Sequence, residues 1–101
     1  MPEIVTMHRP EIERICRDNG VRRLDLFGSG ATGGHMDGRS DLDFYVDLGE
    51  YDRAVGRRYA RLVVGLMQLF GDDIDVLTTR SVKKEWLRDE IERTRRRLYE
   101  A

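Results

Sequence analysis

Apolar residues recur at helical spacing between Pro10 and Gly20, at Ile12, Ile15 and Cys16. The flanking proline and glycine suit a helix's first turn and the position just past its end. From Val21 to Phe27 the period shortens to that of a strand, with Leu24 and Leu26 on one face. Residues 30–39 carry four glycines and no apolar period. They read as loop with room for one helical turn. Asp41 to Leu48 alternates cleanly: Leu42, Phe44, Val46 and Leu48 make one face, and Asp41, Asp43, Tyr45 and Asp47 make the other. Over residues 52–70 a stripe of Val55, Tyr59, Leu62, Val63, Leu66 and Phe70 predicts a helix ended by Gly71. Ile74 to Leu77 is a short third strand. Ser81 is placed to cap a last helix with Val82, Trp86, Leu87, Ile91, Thr94 and Leu98 inward.

The order is helix, strand, glycine-rich loop, strand, helix, strand, helix. It predicts an α/β chain, one domain over residues 1–101, packed as a small sandwich on a short sheet. In that frame three aspartates stand out. Asp41 and Asp43, two apart on one strand, project the same way. Asp75 lies opposite the apolar Ile74 and Val76, and if its strand neighbours theirs, three carboxylates share one sheet surface. Such a cluster is hard to keep ionised without a cation. Mg²⁺ takes oxygen ligands, commonly carboxylates together with substrate phosphates. Gly28-Ser29, at the end of the first strand, can hold phosphate, so the arrangement reads as a metal–nucleotide site.

Composition narrows the class. Charged residues make up 37% of the chain, yet the signs nearly cancel to a formal net charge of −1. No basic field points to direct nucleic-acid binding. The single cysteine, Cys16, cannot form an internal disulfide, which fits a reducing compartment. There is no run of the length needed to span a membrane and no signal-peptide pattern at the start. The expectation is a cytoplasmic protein.

The combination of a strand, Gly28-Ser29, a loop, Asp41-Leu42-Asp43 at a strand start and a lone Asp75 mid-strand resembles the nucleotidyltransferase superfamily that includes DNA polymerase beta. Within it, the chain is similar to the minimal nucleotidyltransferase (MNT) family. The resemblance runs from Val21 to about Leu98. It implies the minimal nucleotidyltransferase fold, a short mixed sheet of about three strands flanked by about four helices. It implies Asp41, Asp43 and Asp75 as catalytic and metal-binding residues, Gly28 and Ser29 as nucleotide-binding residues, two Mg²⁺ ions, and ATP as substrate. MNT proteins are antitoxins paired with HEPN RNase toxins. The resemblance therefore implies a HEPN-type toxin as partner, neutralised by AMP transfer to a toxin tyrosine or, alternatively, by binding alone. Two positions depart from the family pattern. Eleven residues separate Ser29 from Asp41, one more than usual, and Gly30 stands where many relatives carry arginine. A glycine-rich loop absorbs one extra residue at little cost.

Other features compete for attention. Gly28 to Gly33 spells G-x-G-x-x-G after a strand, with Asp47 placed where a ribose-binding acid would fall. A dinucleotide fold, however, needs a sizeable helix to start inside the motif, and residues 34–40 offer no apolar stripe. His35 reads as a solvated loop histidine, with a phosphate or metal contact as the alternative; Arg39 reads equally as a phosphate contact or a surface arginine; His8 reads as exposed. Arg93, Arg95, Arg96 and Arg97, flanked by Glu90, Glu92 and Glu100, read as a solvated helix face. Cys16 reads as core; Trp86 and Tyr99 read as packing or interface residues.

Overall fold

The computed structural model describes residues 1–32 and 42–101. Helices α1 (Glu3–Met7) and α2 (Arg9–Asp18) lead into strand β1 (Arg23–Phe27). A single helical turn, α3 (Ser29–Thr32), follows. Then come β2 (Leu42–Asp47), α4 (Val55–Phe70), β3 (Ile74–Thr78), α5 (Glu85–Thr94) and β4 (Arg96–Glu100). The strands form one mixed sheet in the order β3-β2-β1-β4. β1 runs antiparallel to both β2 and β4, while β2 and β3 are parallel and joined by α4.

Alternation along the strands gives the sheet two different faces. One carries Leu24, Leu26, Leu42, Phe44, Val46 and Val76 and packs under α2 and α4, which contribute Ile12, Cys16, Leu62, Leu66 and Phe70. The other carries Phe27, Tyr45 and Leu77 and is covered by Ile91 and Leu87 of α5 and by Val82. The polar ends of this second face hold the aspartates. The helical stripe predicted for residues 52–70 thus buries as expected, and Gly20 and Gly71 turn the chain at φ +65° and +89°. Arg58 locks several turns together, donating to the carbonyls of Asn19, Gly20, Leu48 and Glu50.

The end of the chain differs from its sequence pattern. The last helix starts at Glu85 and stops at Thr94, and residues 96–100 form a fourth strand against β1. Leu98 is buried as predicted, but from a strand. Ser81 does not cap the helix. It closes a turn with Thr78 through three hydrogen bonds that involve a side chain and one between their backbones. Trp86 is 65% exposed rather than inward. The described residues also include the short α1, which the apolar pattern does not mark, while α3 is a helical turn of the kind the glycine-rich loop had room for.

Candidate active site

The site grows from the end of β1. Gly28 takes φ +76°, a conformation that favours glycine, and turns the chain into α3. Its carbonyl accepts the Ala31 N–H at 3.1 Å. A β-carbon at Gly28 would lie 3.0 Å from Asp43 Oδ2 and 3.7 Å from Glu90 Oε2. A side chain there would press on the Asp43 carboxylate and come into contact with that of Glu90. Ser29, next in sequence, is exposed.

Asp43 stands opposite Phe27 of β1 on one side and opposite Asp75 of β3 on the other. Directly paired positions on adjacent strands present their side chains to the same face. Asp43 is half-buried and Asp75 is exposed. The structure thus brings together Gly28, Asp43 and Asp75, with Ser29 following Gly28 in the chain. Asp41 lies outside the described residues, as do His35 and Arg39. Among the described residues no three His, Cys, Asp or Glu side chains gather as a metal set.

The strand carrying Asp75 is held from its open edge. Tyr59 of α4 donates its hydroxyl proton to the Val76 carbonyl at 2.7 Å. Burial, and then the negative charge of Asp75, push the Tyr59 phenol above its ordinary pKa. Asp75 therefore sits within electrostatic reach of that hydroxyl.

Helix α5 supplies residues that sequence reading did not single out. Thr94 accepts the Gly28 N–H on its hydroxyl at 2.8 Å and donates its own proton to the Glu90 carbonyl at 2.8 Å. Glu90 and Thr94 are four apart and share a helix face, a spacing visible in the sequence but meaningless before the helix is docked. Asp25 was likewise missed. It is 1% exposed, and Arg95 and Arg97 each bind one of its oxygens at 2.6 Å. Two arginines read as a solvated helix face are instead the counter-ions of a buried carboxylate. His8, read as exposed, packs edge-on against Phe70.

The glycine pattern of a dinucleotide site fails here on topology. β1 and β2 are antiparallel, and among the described residues the helix at the motif is the four-residue α3, which lies inside it. That fold requires parallel strands joined through a long helix. Gly30 is buried, and a β-carbon there would lie 3.2 Å from Leu42 Cδ2. The Leu42 side chain would have to yield to any larger residue.

A sheet bearing paired aspartates beside a Gly-Ser turn defines a class, and comparison with known proteins agrees with it. The nucleotidyltransferase domain family matches residues 9–99, and the chain belongs to that family. Within it, the chain is similar to a protein assigned as a minimal nucleotidyltransferase: 29% identity, 93% of this chain and 92% of that one covered, TM-score 0.74. It also superposes on a chain of a toxin–antitoxin structure with AMP-PNP, with 23% identity, 92% and 73% coverage, and TM-score 0.68. A third neighbour is a chain from the complex of tri-AMPylated Shewanella oneidensis HEPN toxin with MNT antitoxin, with 20% identity, 96% and 73% coverage, and TM-score 0.64. No curated protein shows a significant match. No described helix is long and apolar enough to cross a membrane.

Proposed function

We propose that this chain is a Mg²⁺-dependent nucleotidyltransferase antitoxin that transfers AMP from ATP to a tyrosine of a HEPN-type RNase toxin in the cytoplasm. The observation that carries the reading is the Asp43–Asp75 pair, side by side across β2 and β3 and set against the Gly28 turn. Family membership supports the reaction class. The neighbours bearing AMP-PNP and an AMPylated toxin support the nucleotide and the acceptor.

The donor set fits a hard cation. Two carboxylates at paired strand positions, one of them exposed, offer the oxygen ligands that Mg²⁺ prefers. Asp43 and Asp75, with Asp41, would hold the two ions. When bound, they neutralise the triphosphate and lower the pKa of the attacking hydroxyl. The chain's own residues do the rest. The Ser29 hydroxyl holds the β- and γ-phosphates. Asp75, the most exposed of the described carboxylates here, takes the proton of the acceptor hydroxyl. The acceptor oxygen bonds to the α-phosphorus as the bond to the bridging oxygen breaks, and pyrophosphate leaves.

The test uses the purified chain, its HEPN partner, ATP and Mg²⁺. The toxin should gain mass in steps of one AMP and stay inactive after the chain is removed. The Asp41→Asn/Asp43→Asn variant should fail to neutralise at substoichiometric amounts, because catalysis turns over and binding does not. Full neutralisation by that variant at equal stoichiometry, with the toxin unmodified, would establish the binding-only alternative.

A further inference from the structure

The amide of Gly28 is an obvious candidate to hold a phosphate, yet it points elsewhere. It donates to Thr94 Oγ1 at 2.8 Å, and Thr94 spends its own proton on the Glu90 carbonyl. A hydroxyl has one proton to give. Because Thr94 directs it back into its own helix, the oxygen is left as an acceptor aimed at Gly28. The rotor is therefore set by α5, and it holds the turn from the N–H side. The Ala31 N–H holds the same residue from its carbonyl side, through the next peptide group. Between these two bonds Gly28 keeps the φ of +76° that turns the chain out of β1 beside Asp43, with Ser29 the next residue.

From this geometry we infer that Thr94 is a positioning residue of the nucleotide site: it orients the Gly28-Ser29 turn so that Ser29 meets the triphosphate held against Asp43 and Asp75. The inference rests on the nucleotidyltransferase reading and deepens it. Helix α5 belongs to the site and does more than cover the sheet. The phosphate-holding work then falls to Ser29, while Gly28 serves the site through its lack of a side chain, since a β-carbon would meet the Asp43 carboxylate at 3.0 Å. Glu90 has its carboxylate on the same point, so the docking of α5 also sets where that second negative charge lies relative to Asp43. A helix that slipped would move the turn and a charge together.

Thr94→Val keeps shape and removes the hydroxyl; Thr94→Ser restores it. Binding of Mg²⁺·AMP-PNP to the full chain is measured by calorimetry, and hydrogen exchange of the Gly28 amide by NMR without nucleotide. Loss of one oriented hydrogen bond predicts a dissociation constant raised roughly fivefold in Thr94→Val. It also predicts faster Gly28 exchange, with both returned close to wild type in Thr94→Ser. Equal nucleotide affinity in Thr94→Val and wild type would overturn the inference. So would a Thr94→Ser variant as weak as Thr94→Val, which would assign the effect to the lost methyl group. If the wild-type chain itself binds no Mg²⁺·AMP-PNP, the nucleotidyltransferase reading falls and takes the nucleotide role of Thr94 with it. The Gly28 amide would then still show whether Thr94 holds the turn.

Discussion

Arg95 places its Nε 2.6 Å from Asp25 Oδ2, and the carboxylate it binds is 1% exposed. Arg97 occupies the other oxygen, also at 2.6 Å, and is itself tied to Glu100. This group joins β1, β4 and the end of α5. Burial alone would lower the Arg95 pKa, but the hydrogen bond and charge of Asp25 outweigh it and the net shift is upward. Asp25→Ala would leave two guanidinium groups facing each other over an apolar surface. Both can still reach water in part, so the expected loss is about 2–4 kcal/mol, read by urea denaturation. Arg95→Ala should cost more than Arg97→Ala, because Arg95 is the less exposed and also lies over the Tyr45 ring at 5.3 Å.

Two glycines of α4 should respond in opposite directions. A β-carbon at Gly65 would meet three atoms of Ile15 at 3.0–3.2 Å, where α2 and α4 cross. Overpacking a branched side chain there outweighs the gain in helix propensity, so Gly65→Ala should destabilise by about 1–2 kcal/mol. Gly56 has nothing within 4 Å of its β-carbon position. Gly56→Ala should be neutral to stabilising, by up to about 1 kcal/mol. Thermal melts of the two variants would check the signs.

Alkaline unfolding should involve Cys16. Burial first, and then the charge of Glu13, push its thiol up to about 12 from an ordinary 9.0. The folded state thus disfavours the thiolate. A raised folded pKa means the stabilisation is fully present below pH 9.0 and is lost as pH rises towards 12. Each pH unit in that window removes at most about 1.4 kcal/mol for one group. Cys16→Ala should show a shallower decline than wild type in denaturation series from pH 8.5 to 10.5. The folded wild type should resist thiol reagents until it unfolds.

Asp43→Ala should separate chemistry from folding. Its position pairs with Asp75 across β2 and β3, so the substitution removes one of two like charges on that face. The melting temperature without Mg²⁺ should stay the same or rise slightly. AMP transfer measured with labelled ATP should fall at least about a hundredfold. A large drop in melting temperature would show instead that Asp43 holds the fold.

Trp86 offers a simpler check. At 65% exposure its truncation to alanine should change stability by no more than about 0.5 kcal/mol. A loss of several times that amount, in equilibrium denaturation, would place the indole inside the packed core.

Period and punctuation along the chain determined much of the architecture. The 3.6-residue stripe of α4, the strict alternation of β2 and the glycines at 20 and 71 are local facts, because a helix or strand needs its own buried face and its own ends. The same alternation put Asp43 and Asp75 on the polar side of their strands. Sequence alone could not bring them together, since that depends on β2 and β3 pairing in parallel register across the α4 crossover. The fourth strand was hidden for a similar reason. Leu98 continues the helical spacing of Ile91 and Thr94, and only the open edge of β1 turns residues 96–100 into a strand. Once β4 forms, it carries Arg97 to Asp25, turning what reads as a surface arginine run into the counter-ions of a buried charge. Thr94 and Glu90 gained their places at the Gly28 turn in the same way, by the docking of α5. Contacts between residues 66 positions apart, as Gly28 and Thr94 are, leave no periodic trace in a chain. They exist only where independent elements meet, and tertiary packing alone sets that geometry.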